Sequence, residues 1–280
     1  APLDDVPIVL HVVGIRAALR RPMLGIVGSR NPSTAGVADA ENFAASASLA
    51  GLTVASGLAL GIDAAAHRGA LRGPSGTIAV LATGPDIIYP DCHRGLAARI
   101  AETGALLSEQ PPGTRPVPGL FPRRNRLIAG LAKGVLVVEA ALRSGSLITA
   151  RLGAEYGREV FAIPGSIHSP LARGCHALIR EGAALVESID EVLEAIGRIP
   201  GVRRPHRAGA ARSPDGRAPD DAPEDPLLQA IGYHPVLPDT LCTRLSVAAG
   251  ELAARLVMLE IEGRIERLAD GRVVCRPAAA

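Results

Sequence analysis

The run LGIVGSRNPSTAGVADAENFAASASLAGLTVAS (24–56) decides the fold. It opens on an apolar stretch, LGIVG (24–28), turns through small polar residues, and continues as GVADAENFAASASLAG (36–51), whose apolar residues have helical spacing. It closes on a second apolar stretch, LTVAS (52–56). A strand, a helix and a strand in that order form a parallel βαβ unit. Further strand candidates follow at TIAVLA (77–82), ALLSE (105–109), GVLVVEA (134–140) and EVFAIPG (159–165), with alanine-rich helical segments such as SLITARLGAEYG (146–157) between them. Continuously apolar strands need cover on both faces, so residues 24–197 read as a doubly wound, mostly parallel, Rossmann-like α/β domain. Ligands of such sheets sit beyond the carboxyl ends of the strands. Residues 1–23 read as a lead-in segment.

Residues 198–226 are rich in Pro, Gly, Arg and Asp and read as a linker. Residues 227–280 read as a small second domain. A short helix leads to PDTLCTRLS, then to AAGELAARLVMLEIEG, then to two short runs around Asp270-Gly271, a hairpin signal. Three helices and a hairpin suggest a winged helix-turn-helix. Its longest helix carries Glu251, Glu260 and Glu262 against Arg255 alone, a poor match for a phosphate-lined groove. A protein-contact or stabilising role is therefore favoured for this tail over duplex binding.

The bulk numbers exclude more than they assign. The 280 residues are 48% hydrophobic and 21% charged, with a net charge of +2. That is ordinary for a globular chain and too little charge to imply a polyanion by itself. Lys133 is the lone lysine among 30 basic residues, which fits genomic base composition, while arginine offers a planar fork for phosphate. Cys92, Cys175, Cys242 and Cys275 are scattered, giving no zinc spacing and fitting a reducing cytoplasm. No apolar run is long enough to cross a membrane and no secretion signal opens the chain. The first residue is Ala1, which suggests that an upstream segment has been removed.

Four segments carry chemistry. In GIVGSRNPSTAG (25–36) a strand ends at Gly28 and a helix begins near Gly36, placing backbone N–H groups, Ser29, Ser33, Thr34 and the cation Arg30 at the ligand edge. The loop lacks the glycine spacing of dinucleotide folds and the Lys of a P-loop, so no nucleotide cofactor is expected. In SGLALGIDAAAHRGAL (56–71), Ser56 and Gly57 allow close backbone approach. Asp63 and His67 lie one helical turn apart; with no third ligand evident, a structural role is favoured over a metal. FPRRNRLIAGLAKG (121–134) crowds Arg123, Arg124 and Arg126 at a helix start beside Phe121 and Asn125. Cations there oppose the helix dipole, which suggests an anion, and aromatic beside arginine suits single strands. In EAALRSGSLITARLGAEYG (139–157), Arg143, Ser144, Gly145 and Ser146 form another polar turn, with Thr149 a turn further on. No nucleophile elbow is present, and Glu109 and Glu139 are the carboxylates nearest the strand ends, Glu139 being placed to bond backbone or an arginine.

These segments resemble the DprA (Smf) family. GSRxxSxxG, SGLAxGIDxxAHxGAL, GTIAVLxxGxxxxYP, FPRRNRLIAGL, SGSLITAR and VFAIPG follow in family order over about residues 24–187. The resemblance implies a non-catalytic protein that binds single-stranded DNA through phosphates and loads the RecA recombinase during natural transformation. It also implies a homodimer without membrane insertion. Carried over residue by residue, DNA contacts would fall at Gly28, Ser29, Arg30, Ser56, Gly57, Phe121, Arg124, Asn125, Arg126, Ser144, Gly145, Ser146 and Thr149. Some relatives have a basic residue where Leu60 stands, and many have a helical N-terminal domain. The alternative is an enzyme on a related scaffold, a nucleoside-monophosphate phosphoribohydrolase. Those enzymes carry PGGxGTxxE, where this chain reads RSGSLITAR without the glutamate.

Overall fold

The computed structural model describes residues 6–197, 202, 225–231, 235–245, 247–268 and 270–275. The chain divides into two compact units, residues 1–206 and 207–280. The linker read at 198–226 lies almost wholly outside the described residues.

The first unit is built on one eight-stranded sheet. Its strands are β1 (His11–Gly14), β2 (Met23–Val27), β3 (Thr53–Ser56), β4 (Thr77–Leu81), β5 (Ala105–Ser108), β6 (Gly134–Val137), β7 (Glu159–Ala162) and β8 (Ala184–Leu185). Their order across the sheet is β1-β5-β4-β3-β2-β6-β7-β8. Every pairing is parallel except β1 on β5, which is antiparallel. β1 falls inside the lead-in segment, so the sheet starts earlier than the alternation of apolar runs indicates. Strand order reverses between β2 and β6, which makes that crevice the topological switch point of the sheet.

The helices are α1 (Thr34–Ala50), α2 (Ile62–Ala70), α3 (Arg94–Thr103), α4 (Leu120–Leu131), α5 (Ser146–Glu155), α6 (Arg173–Arg180) and α7 (Ile189–Ala195). They cover both faces, as the strand pattern requires. Met23 and Val27 of β2 pack with Leu127 and Ile128 of α4 and Leu147 of α5 on one side. Leu24 and Ile26 pack with Ala40 and Phe43 of α1, Ile62 of α2 and Leu193 of α7 on the other. This alternation is the period of a pleated strand, and it fixes the register, because a one-residue slip would exchange the two sets.

α1 begins where Ser33 Oγ accepts from Gly36 N at 3.0 Å and ends at Gly51, whose φ of 103° is left-handed. α1 and α2 pack through alanines, and Glu41 of α1 pairs with Arg68 and Arg72.

The second unit comprises α8 (Pro226–Ile231), α9 (Pro238–Leu245), α10 (Ala249–Ile261) and the antiparallel hairpin β9 (Ile265–Arg267) and β10 (Val273–Cys275). Val236 forms an isolated antiparallel bridge with Val273. Leu227, Ile231, Leu241, Leu252, Leu256, Leu259, Ile265 and Val273 form its core. Gly271, with φ of 82°, makes the hairpin turn after Asp270. Among the described residues no helix is long and apolar enough to cross a membrane.

Candidate nucleic-acid interface

The turns after β2 and β6 meet at the switch point, and the start of α4 closes over them. Together they enclose a cavity of about 510 Å3, within the range of small-ligand sites. Gly28, Ser29 and Arg30 line it from the β2 turn, and Ser144, Gly145, Ser146 and Thr149 from the β6 side. Phe121, Arg124 and Asn125 line it from α4. Asn31, Ala59, Asp63, Ile128, Ala141 and Arg143 complete the wall.

Three helix N-termini point at this edge, and two are already answered by the chain's own carboxylates. At α1, Glu139 accepts from Ser33 N at 2.9 Å and from Ser33 Oγ at 2.6 Å. Gly36 makes room for it, because a Cβ there would collide with the Glu139 carboxyl group. Ser29 N donates to the Glu139 carbonyl at 2.7 Å. Glu139 therefore bonds nearby backbone, and the N–H groups of Ser29 and Ser33 are engaged inside the protein. At α2, Asp63 accepts from Gly57 N at 3.1 Å and Ala59 N at 3.4 Å. At α5 the acceptors are neutral: Ser146 N donates to Ser144 Oγ at 3.4 Å, and Leu147 N and Ile148 N donate to the Ser144 and Gly145 carbonyls at 3.2 Å. With no acid in the first turn, and with the exposed Arg30 and Arg143 in the same cavity wall, this end keeps a positive potential that no carboxylate offsets.

Arg124 has an internal task. Although it lines the cavity it is 6% exposed, and its guanidinium donates to the carbonyls of Gly57 and Val80. A Cβ at Gly57 would overlap that guanidinium, so the open space at Gly57 belongs to Arg124. Burial pushes the Asp63 carboxyl up, and the nearby Arg124 charge pulls it back. Burial lowers Arg124 to about 10, with Asp63 opposing. The guanidinium thus ties the ends of β3 and β4 to α4. Ser56 and Gly57 both lie outside the cavity lining, and Ser56 donates to the Ile26 carbonyl at 2.6 Å. Arg126 is 6% exposed, pairs with Glu109 at 2.5 Å and does not line the cavity.

The rim is aromatic. Arg30 sits 5.6 Å from the Phe121 ring centroid, and Tyr89 meets the same ring at 5.7 Å with a 60° tilt. Tyr89, Asn31 and Arg143 are not among the DNA contacts expected from sequence. The signal for Tyr89 is its chemistry, since only three tyrosines and three phenylalanines occur in the chain and this one is exposed. Among the described residues, no group of three or more His, Cys, Asp or Glu side chains could hold a metal.

His67 is fully buried, with Nδ1 2.7 Å from Thr77 Oγ1. That hydroxyl donates to the Val54 carbonyl, so Nδ1 carries the proton and Nε2 does not. Burial, reinforced by Arg124, His93 and Arg68, pushes this imidazole down to about 3. The folded protein keeps it neutral while the unfolded chain takes up a proton below pH about 6.5, so stability falls as pH drops through that value towards 3. Between pH 7 and pH 5 the loss from this group is about 2 kcal/mol. Urea midpoints at the two pH values should show it, and His67→Asn should remove that part of the difference. An unchanged pH dependence in the variant would place the effect elsewhere.

The architecture is thus a doubly wound Rossmann-like domain with its cavity at the switch point, followed by a helix-rich unit with a hairpin wing. The chain matches the family model for DNA recombination-mediator protein A over residues 1–197, and that for the DprA winged helix domain over residues 211–271. It is 41% identical over 284 residues to Protein Smf of Escherichia coli K12, covering 98% of this chain and 73% of that protein. It is 47% identical over 189 residues to the DNA processing protein DprA of Streptococcus pneumoniae, covering 68% and 67%. The solved S. pneumoniae structure superposes with a TM-score of 0.66 at 46% identity, covering 69% of this chain and 68% of that one. The Helicobacter pylori DNA processing protein A, whose structure addresses its single-stranded DNA binding mode, superposes with a TM-score of 0.64 at 31% identity, covering 69% and 89%. The chain belongs to the DNA recombination-mediator protein A (DprA/Smf) family.

Proposed function

We propose that the switch-point cavity and its rim bind single-stranded DNA through its phosphates, without reading base sequence. The observation that carries this is the α5 terminus, which has no acid in its first turn and shares the cavity wall with the exposed cations Arg30 and Arg143 and the half-buried ring of Phe121. Phosphates pair with such groups, and unstacked bases lie on such rings. The single-stranded DNA binding of the H. pylori relative supports the reading. The family's description as a recombination mediator supports a further role in handing bound strands to the RecA recombinase. The resemblance to family members adds a homodimer acting in the cytoplasm during natural transformation. A non-catalytic role accords with Asp63, the carboxylate in the cavity wall, being held by two backbone N–H groups.

The test is fluorescence anisotropy with labelled poly-dT across a salt series, with matching duplex as competitor. Tight binding that weakens steeply with salt and resists the duplex is the expected result. Absence of binding at low salt would overturn the reading, and nucleoside-monophosphate hydrolysis would then be assayed. Phe121→Ala should weaken poly-dT binding by about tenfold, the scale of one lost base stack, while Phe121→Tyr retains it. Equal affinity for the alanine variant and the parent would remove Phe121 from the binding surface.

A further inference from the structure

Helix α10 of the second unit has two apolar faces. Leu252, Leu256 and Leu259 are buried in the core of that unit. On the opposite side Gly250, Ala253, Ala254, Val257, Met258 and Ile261 are all exposed. Their spacing of three and four residues makes them one continuous stripe. Val257, Met258 and Ile261 are 48%, 60% and 77% exposed, far more than a helix with a single buried face presents.

The helix's own charges beside the stripe are acidic on one flank. Glu251 and Glu262 fall in the row beside Met258, and Glu260 lies on the other flank beside Ala253 and Val257, where it pairs with Arg267 at 3.5 Å. Arg255, the helix's one basic residue, turns away and pairs with Asp225 at 2.5 Å. In a winged helix-turn-helix the corresponding helix enters a phosphate-lined groove, and here that position offers methyl groups between carboxylates. A second copy of the helix is no better suited. Antiparallel pairing sets Glu251 near the other copy's Glu260 and Glu262, and parallel pairing sets each glutamate near its own counterpart.

We propose that this stripe is a docking face for an amphipathic helix of another protein, apolar along one side and flanked by Lys or Arg. The apolar row buries Val257, Met258 and Ile261 in a helix-in-groove manner, and a basic flank meets Glu251 and Glu262. This does not rest on the single-strand reading, because the cavity residues all belong to the first unit.

The test uses the full chain and a labelled synthetic helical peptide with a leucine stripe flanked by lysine, plus the same peptide with glutamate flanks. Anisotropy should show binding of the lysine form only, and hydrogen–deuterium exchange should slow in α10. Val257→Ser/Ile261→Ser should weaken binding about tenfold or more, equivalent to about 1.4 kcal/mol. Glu251→Gln/Glu262→Gln, which leaves the apolar residues untouched, should do the same and abolish the salt dependence. Unchanged peptide binding in both variants, or protection confined to other segments, would overturn the proposal. So would concentration-dependent self-association through the stripe, or slowing of α10 exchange by duplex DNA.

Discussion

Arg124→Ala should lower the unfolding free energy of the first unit by about 3–5 kcal/mol, the scale of two buried carbonyls left without a charged donor plus an emptied side-chain volume. The loss has three sources. The carbonyls of Gly57 and Val80 lose their charged donor, Asp63 loses its neighbouring cation while remaining buried, and the side-chain volume is left empty. Urea denaturation at neutral pH measures it directly. A second substitution, Asp63→Asn, should recover part of the loss, because it removes the stranded carboxylate. A melting profile indistinguishable from the parent would show that the guanidinium does not hold these turns. Arg124→Lys should remain well below the parent, since an ammonium lacks the planar fork that serves two carbonyls at once.

Arg30→Ala and Arg143→Ala should act on binding and leave stability alone. Both residues are exposed at the cavity edge, and a hydrogen bond to a charged partner contributes about 1.5–3 kcal/mol. Each variant should therefore bind single strands roughly 10- to 100-fold more weakly, for all base compositions alike. On a single strand, the slope of log affinity against log salt should fall by about 0.7 for each phosphate left without its cation, and by about twice that in the double variant. An unchanged slope would mean that the missing guanidinium did not face a phosphate. Arg30 has a second role over Phe121, so Arg30→Lys should restore the slope more fully than the affinity.

The interior of the sheet was legible because its six central strands are apolar on both sides and each is followed by helical spacing. The two edge strands were not. β1 has only four residues with a half-exposed pattern, and β8 is a pair of exposed residues. Neither has the periodicity that marks a strand, and only their neighbours β5 and β7 define them. The edge at which the candidate cavity lies was legible for the same reason, since polar turns after parallel strands collect at one edge of the sheet. The division of labour within those turns was not. Arg30 and Arg124 look alike in sequence, yet one is exposed and the other is buried against two carbonyls. Glycine misled in a related way. Gly57 reads as space for a ligand, and the space is filled by an arginine from α4, distant in the chain. Tyr89 escaped notice because it comes from the loop after β4, outside the turns that flank the switch point, and only the folded chain brings it against Phe121.

The unequal treatment of the three helix ends has a consequence for orientation. Glu139 and Asp63 place carboxylates at the starts of α1 and α2, and the first turn of α5 carries none. If the cavity binds a strand as proposed, its phosphates would therefore sit toward the start of α5 with Arg30 and Arg143, and away from the Asp63 carboxylate.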